Sequence, residues 1–120
     1  MTAARRDNKG KPRLSLNPSA LLRGAARAYG FGATKYAPFN YRNAPGLPVQ
    51  EQIDSVLRHM AEFNDRLEKD PESGLDVLDH AAASLGMLMD TMERIRAGKL
   101  PAETDNRYAD PAPLIPSRPT

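Results

Sequence analysis

Residues 49–98 read VQEQIDSVLRHMAEFNDRLEKDPESGLDVLDHAAASLGMLMDTMERIRAG, and this stretch decides the fold. In its first part Val49, Ile53, Val56, Leu57, Met60, Phe63 and Leu67 recur at the spacing that lines one face of a helix. The pattern predicts a helix from about Val49 to Leu67. Pro71 and Gly74 in Asp70-Pro71-Glu72-Ser73-Gly74 then bracket a turn, and Ser73 suits the N-cap of the next helix. Leu75, Leu78, Ala82, Leu85, Leu88, Met92 and Ile95 resume the helical period until Gly98 and Pro101 stop it. Two long amphipathic segments joined by a polar turn make an antiparallel helical hairpin.

Outward from the hairpin, Asn17-Pro18 is a helix opening, because Asn caps and Pro suits the first helical position. Leu21, Leu22, Ala25 and Tyr29 follow at helical spacing, and Gly30 and Gly32 are expected to end that segment. Residues 33–48 hold Pro38, Pro45, Gly46 and Pro48 and read as a structured loop with room for a short helical turn. No strand-like alternation and no internal repeat occurs. The expected fold class is all-α, an antiparallel helical hairpin plus a shorter N-terminal helix. Two long helices alone bury little, so oligomerisation that completes a four-helix bundle is expected, as a homodimer or homotetramer. The expected organisation is a flexible start over 1–10, an all-α domain over 11–98 and a Pro-rich tail over 99–120. That tail holds five prolines, builds no packed core, and is expected on the surface, on a partner subunit or disordered.

The 120 residues contain no Cys and no Trp, which excludes disulfides and thiolate zinc sites. No apolar run approaches the roughly 20 residues of a membrane span, and the first residues lack the apolar core of a signal peptide. A cytoplasmic protein without membrane contact is the expectation. The net charge of +2 hides an asymmetry: residues 1–50 carry nine Lys or Arg against Asp7 alone, whereas residues 51–97 carry eleven acids against five bases. Self-complementary folding and solubility account for that split. So does a site needing both signs, with bases on phosphate and acids on a divalent cation that bridges phosphate oxygens. The bases are dispersed among Gly and Ala with no nucleic-acid motif, so no nucleic-acid partner is expected.

His59 and Glu62 lie three apart on the second helix, and Asp76 and Asp79 repeat that spacing on the third. Folding the hairpin near residue 71 sets residues equally far from the turn opposite one another, so His59, Glu62, Asp76, Asp79 and His80 are candidates to converge. Carboxylates brought together repel unless a cation lies between them. The plain alternative is that these acids solvate helix surfaces. Glu62 also belongs to a second face, Glu51, Asp54, Arg58, Glu62 and Asp65, which reads as a salt-bridged solvent face. Arg58 is alternatively a phosphate ligand. Lys11-Pro12-Arg13 and Lys35-Tyr36-Ala37-Pro38-Phe39-Asn40-Tyr41-Arg42 supply bases to grip phosphate, Tyr to stack and Asn to read a base edge, or else form basic surface loops. No Gly-rich phosphate loop and no nucleophile motif is present.

Taken in order, Lys11-Pro12-Arg13, Gly32-Ala33-Thr34-Lys35-Tyr36, Asn40-Tyr41-Arg42, Arg58-His59, Asp70-Pro71-Glu72-Ser73-Gly74 and His80-Ala81 resemble a family common in bacteriophage genomes, the dATP/dGTP diphosphohydrolases. Over roughly residues 10–92 the pattern also looks similar to the all-α, MazG-like nucleoside triphosphate pyrophosphohydrolases. The resemblance implies Mg²⁺-dependent hydrolysis (Mn²⁺ as a substitute) of a purine deoxynucleoside triphosphate to monophosphate and diphosphate, in the cytoplasm of a bacterial host. It implies metal ligands at His59, Glu62, Asp76 and Asp79, since His59-x-x-Glu62, thirteen residues, then Asp76-x-x-Asp79 resembles the MazG-like Glu-x-x-Glu and Glu-x-x-Asp. The implied catalytic residues are Glu62 and His80, which orient water or take its proton. The implied substrate-binding residues are Lys11, Arg13, Lys35, Tyr36, Asn40, Arg42 and Arg58, with the 33–48 loop reaching a neighbour's site. The chain departs from the family pattern at Val77, where a second His is expected, and at Leu67, where a Gly is expected. Such departures imply altered metal affinity, or lost catalysis with nucleotide binding kept, as in a module that sequesters a nucleotide without hydrolysing it. A helical adaptor without ligand is a third alternative, since each charged residue taken singly also reads as a solvated surface.

Overall fold

The computed structural model describes residues 2–7 and 9–107. Three helices make up the body: α1 (Ser19–Lys35), α2 (Val49–Asn64) and α3 (Val77–Arg96). Short 3₁₀ turns lie at Leu14–Leu16, Asn40–Arg42 and Ala102–Thr104. Among the described residues there is no strand, only one isolated antiparallel bridge between Lys69 and Asp76. The fold is all-α, with α3 as the central element and α1 and α2 each packed against it.

The α2–α3 pair is the antiparallel hairpin read from the sequence. Its register is fixed by Gln52 against Thr91, Ser55 against Ser84 and His59 against His80. Gln52 and Thr91 are both buried, and their mutual hydrogen bond of 3.1 Å, with a second from Gln52 to the Leu47 carbonyl, satisfies the amide that burial strips of water.

Element ends differ from the sequence reading in ways that have local causes. α1 runs through Gly30 and Gly32 to Lys35 and is therefore no shorter than α2. Two isolated glycines weaken a helix by about 1 kcal/mol each without breaking it. α2 ends at Asn64 rather than Leu67, because Arg66 turns left-handed (φ 73°). The Leu67 N–H then bonds to the Glu62 carbonyl and the Arg66 N–H to the Phe63 carbonyl, which closes a Schellman motif. Ser73 does not cap α3; that position belongs to Asp76. Ser73 instead lies in a tight turn where the Asp70 carboxylate accepts its N–H and its own hydroxyl accepts the Leu75 N–H.

Close approach of α1 to α3 depends on small residues. A Cβ on Gly24 would come within 2.6 Å of Asp79 Oδ1, and one on Gly86 within 2.1 Å of the Tyr29 hydroxyl. Tyr29 thus passes over Gly86 to donate a 2.8 Å hydrogen bond to the Ala83 carbonyl. Apart from Leu100, which comes from beyond the hairpin, the buried apolar residues are small: Ala28, Val49, Val77, Ala81 and Ala83. Val77, where the resemblance leads one to expect His, is part of this core.

Residues 2–7 and 9–13 have no helix or strand and are exposed. The start of the Pro-rich segment does pack. Leu100 and Thr104 are buried, the Thr104 hydroxyl donates to the Pro45 carbonyl, and Asn106 Oδ1 accepts the Gln50 N–H in the first turn of α2. A side chain from beyond α3 therefore serves α2 as a remote N-terminal cap, since Pro48 has no side-chain group to do so. Residues 108–120 of the expected tail lie outside the described residues, as do Met1 and Asn8. Among the described residues no helix is long and apolar enough to cross a membrane.

Candidate functional site

Because α1 and α2 both lean on α3, a cleft opens between them with α3 as its floor. The loop after α1 closes one end. The resulting cavity of about 890 Å³ is lined by α1 from Ala28 onward, by residues 36–42, by Arg58, His59 and Glu62 of α2, and by His80 to Asp90 of α3.

The two histidines meet here. Their rings stack with centroids 5.5 Å apart and planes 27° from parallel. His59 Nδ1 is 3.1 Å from Glu62 Oε1, the i,i+3 contact expected of one helix face. Burial pushes the His59 imidazole below its ordinary value, the neighbouring Arg58 charge pushes the same way, and Glu62 opposes them. On the other side Ser73 Oγ is 2.7 Å from His80 Nε2, and Asp70 Oδ2 is 3.8 Å from the same nitrogen. The Ser73 oxygen also accepts the Leu75 N–H, and its hydroxyl lies within reach of both His80 Nε2 and the Asp70 carboxylate. The Ser73 N–H holds the Asp70 carboxyl below the usual carboxylate range.

The basic wall is held by acids. Lys35 Nζ lies 2.6 Å from Glu72 Oε1, and Arg42 makes two hydrogen bonds of 2.7 and 3.2 Å to Asp90. Tyr41 donates to the same Asp90 carboxylate at 2.6 Å, and burial together with that bond pushes its hydroxyl up to about 12. The Arg42 guanidinium holds Asp90 below the usual range. Asn40 lines the cavity with its side-chain oxygen 3.2 Å from Asn43 Nδ2, and Tyr36 is exposed at the lip, 5.6 Å from Lys35 Nζ.

Other candidates lie elsewhere. Asp79 is buried against α1, where Arg27 grips both its oxygens at 2.8 and 3.0 Å. Asp76 pairs with Lys69, which lowers its carboxyl below the usual range. Lys11 and Arg13 are exposed in the N-terminal segment and do not line the cavity. The structure thus gathers His59, Glu62, His80, Lys35, Tyr36, Asn40, Arg42 and Arg58, and separates Asp76, Asp79, Lys11 and Arg13 from them. Among the described residues no three His, Asp or Glu side chains are grouped to hold a metal alone. The carboxylates of Glu62, Asp70 and Glu72 nevertheless line the cavity. One or two carboxylates completed by phosphate oxygens and water are the usual donor set for Mg²⁺, so these residues fit that ion.

Sequence reasoning missed Asp90, Asp70 and Ser73 as site residues. Asp90 lies 48 residues from Arg42, and no local spacing announces the pair. Asp70 and Ser73 did carry a signal, since Asp three residues before Ser after a Pro is turn chemistry that orders its own loop.

The chain is thus an all-α domain whose cavity carries three cations, a histidine pair and flanking carboxylates. The family described as "dATP/dGTP diphosphohydrolase, N-terminal" matches residues 1–100, and the chain belongs to it. A protein of Salmonella phage PMBT28 named dATP/dGTP diphosphohydrolase is 33% identical over 78 residues, 65% of this chain and 26% of that protein. The chain therefore matches about a quarter of the length of that relative. No solved structure matches the chain.

Proposed function

We propose that the cavity binds a purine deoxynucleoside triphosphate and that the protein hydrolyses it to monophosphate and diphosphate with Mg²⁺ (Mn²⁺ as a substitute). One observation carries this reading: a single cavity collects Lys35, Arg42 and Arg58 together with His59, Glu62 and His80, residues far apart in sequence that helix packing alone does not require. The family and the name of the phage relative support the same reaction class.

Lys35, Arg42 and Arg58 would bind the phosphates. Four carboxylates line the same cavity, so these three cations do not neutralise a triphosphate unaided. Glu62 and Asp70 would hold Mg²⁺, which would supply the positive charge that these cations lack. Water adds to the α-phosphorus, the bond to the bridging oxygen breaks, and diphosphate leaves. Glu62 orients that water and takes its proton. His80 lines the same cavity and is the alternative group to orient that water or take its proton. His59, neutral near pH 7, fixes the Glu62 carboxylate from the side. Tyr36 and Asn40 contact the base.

A second reading has its own observation. Asp79 and Asp76 are spent on Arg27 and Lys69, which leaves half of the acid pattern away from the cavity. That arrangement suits a module that binds the nucleotide and does not turn it over. Incubation with each dNTP and NTP, with Mg²⁺ or EDTA, followed by ion-exchange separation of products, decides between them. Monophosphate and diphosphate formed only with Mg²⁺ establish hydrolysis. Stoichiometric binding without product establishes the second reading.

The apolar side of the hairpin supports a homo-oligomer, with a dimer that completes a four-helix bundle as the simplest form.

A further inference from the structure

We propose that the ring of Phe39 is a nucleobase-stacking platform at the mouth of the cavity, held in position by the Arg42–Asp90 ion pair. This rests on the nucleotide reading of the cavity and deepens it. Phe39 has a left-handed backbone (φ 57°, ψ 25°), a conformation that bulky side chains rarely adopt. Such strain in a phenylalanine is ordinarily repaid by burying the ring. Here the residue remains 59% exposed, so the fold gains little from the apolar surface it holds in this orientation.

What does hold the ring is a charged clamp. The Arg42 guanidinium lies 4.0 Å from the ring centroid, a cation–π contact, and is itself fixed by two hydrogen bonds to Asp90. Tyr41, anchored on the same carboxylate, meets Phe39 at 6.5 Å with the rings 52° apart. One aromatic ring is thus oriented by three polar groups, with most of its surface left in water beside a cavity that also presents Lys35 and Arg58. A planar heterocycle carrying an anionic tail uses both features, the ring on Phe39 and the tail toward the cations. Stacking is tolerant of base identity and grows with ring area, which favours purines over pyrimidines.

The chain contains no Trp, so Phe39→Trp installs a single tryptophan at the platform, whose emission is excited apart from that of the four tyrosines. With Mg²⁺ present, α,β-methylene dGTP is expected to quench that fluorescence saturably, and inorganic tripolyphosphate is not. By calorimetry, Phe39→Ala and Phe39→Gly are both expected to weaken α,β-methylene dGTP binding about 10- to 100-fold and to leave tripolyphosphate binding unchanged. The glycine variant accepts the left-handed backbone and so separates loss of the ring from loss of the loop fold. Wild-type affinity for the analogue in both variants overturns the platform and leaves the nucleotide reading standing, as does an equal loss for tripolyphosphate. A wild-type protein that binds neither probe overturns both.

Discussion

His59 shows how burial, charge and a partner compete at one residue. Burial and Arg58 depress its proton affinity, and Glu62 restores part of it. Its ring is therefore expected to titrate below its ordinary 6.5 when followed by NMR. Glu62→Gln should lower the midpoint further, and Arg58→Ala should raise it. A midpoint at or above 6.5 in the wild type would exclude this balance. Because the unfolded chain binds this proton more tightly, the contribution of His59 to stability is fully present above about 6.5 and is lost as pH falls through the folded value. Asp79 makes the opposite point about legibility. Its spacing from Asp76 reads as half of a metal pattern, yet Arg27, 52 residues away, holds it with two hydrogen bonds in a buried contact. Asp79→Asn is thus expected to lower the melting temperature by several degrees and weaken the α1–α3 contact, since it removes the charge that Arg27 answers. An unchanged melting temperature together with lost turnover would return Asp79 to the metal set.

Among the elements, the hairpin was legible because a helix pattern depends on neighbours three and four residues apart, and the 49–98 stretch carries that pattern twice. The length of α1 was not, because whether Gly30 and Gly32 break a helix depends on what α1 packs against. The cleft was not legible either: it arises from α1 and α2 both packing on α3, a fact of tertiary geometry that no spacing encodes. The α1–α3 crossing offers a direct test. Gly86→Ala improves helix propensity, yet its methyl would overlap the Tyr29 hydroxyl. Chemical denaturation should find the variant destabilised by about 1–3 kcal/mol, the usual cost of overpacking. Tyr29→Phe added to Gly86→Ala removes the overlapping oxygen and should recover part of the loss. If the double variant is less stable than the single one by the full cost of Tyr29→Phe, the two sites are independent and the packing argument fails.

At the scale of the whole molecule the core is small for a chain of 13.2 kDa. Its largest fully buried side chains are Val49, Val77 and Thr91, while Leu57, Leu85 and Met89 remain 61%, 47% and 63% exposed. A domain of this size buries too little apolar surface to leave such residues idle. Counting 100° per residue from the contacts that face α3, Leu57 and Met60 fall on the side of α2 away from Arg58 and Glu62. By the same count Leu78 and Leu85 fall on the side of α3 away from Asp79 and Asp90. All four therefore share the face of the hairpin opposite α1 and the cavity. Two copies pairing through that face would form a four-helix bundle with each cavity turned outward, so oligomerisation and ligand binding do not compete for surface. Light scattering after size exclusion is expected to give about twice 13.2 kDa, with a melting temperature that rises with protein concentration. Leu57→Glu with Leu85→Glu should shift the species to monomer and abolish that concentration dependence. A wild-type monomer whose melting temperature ignores concentration would leave the exposed leucines without this role.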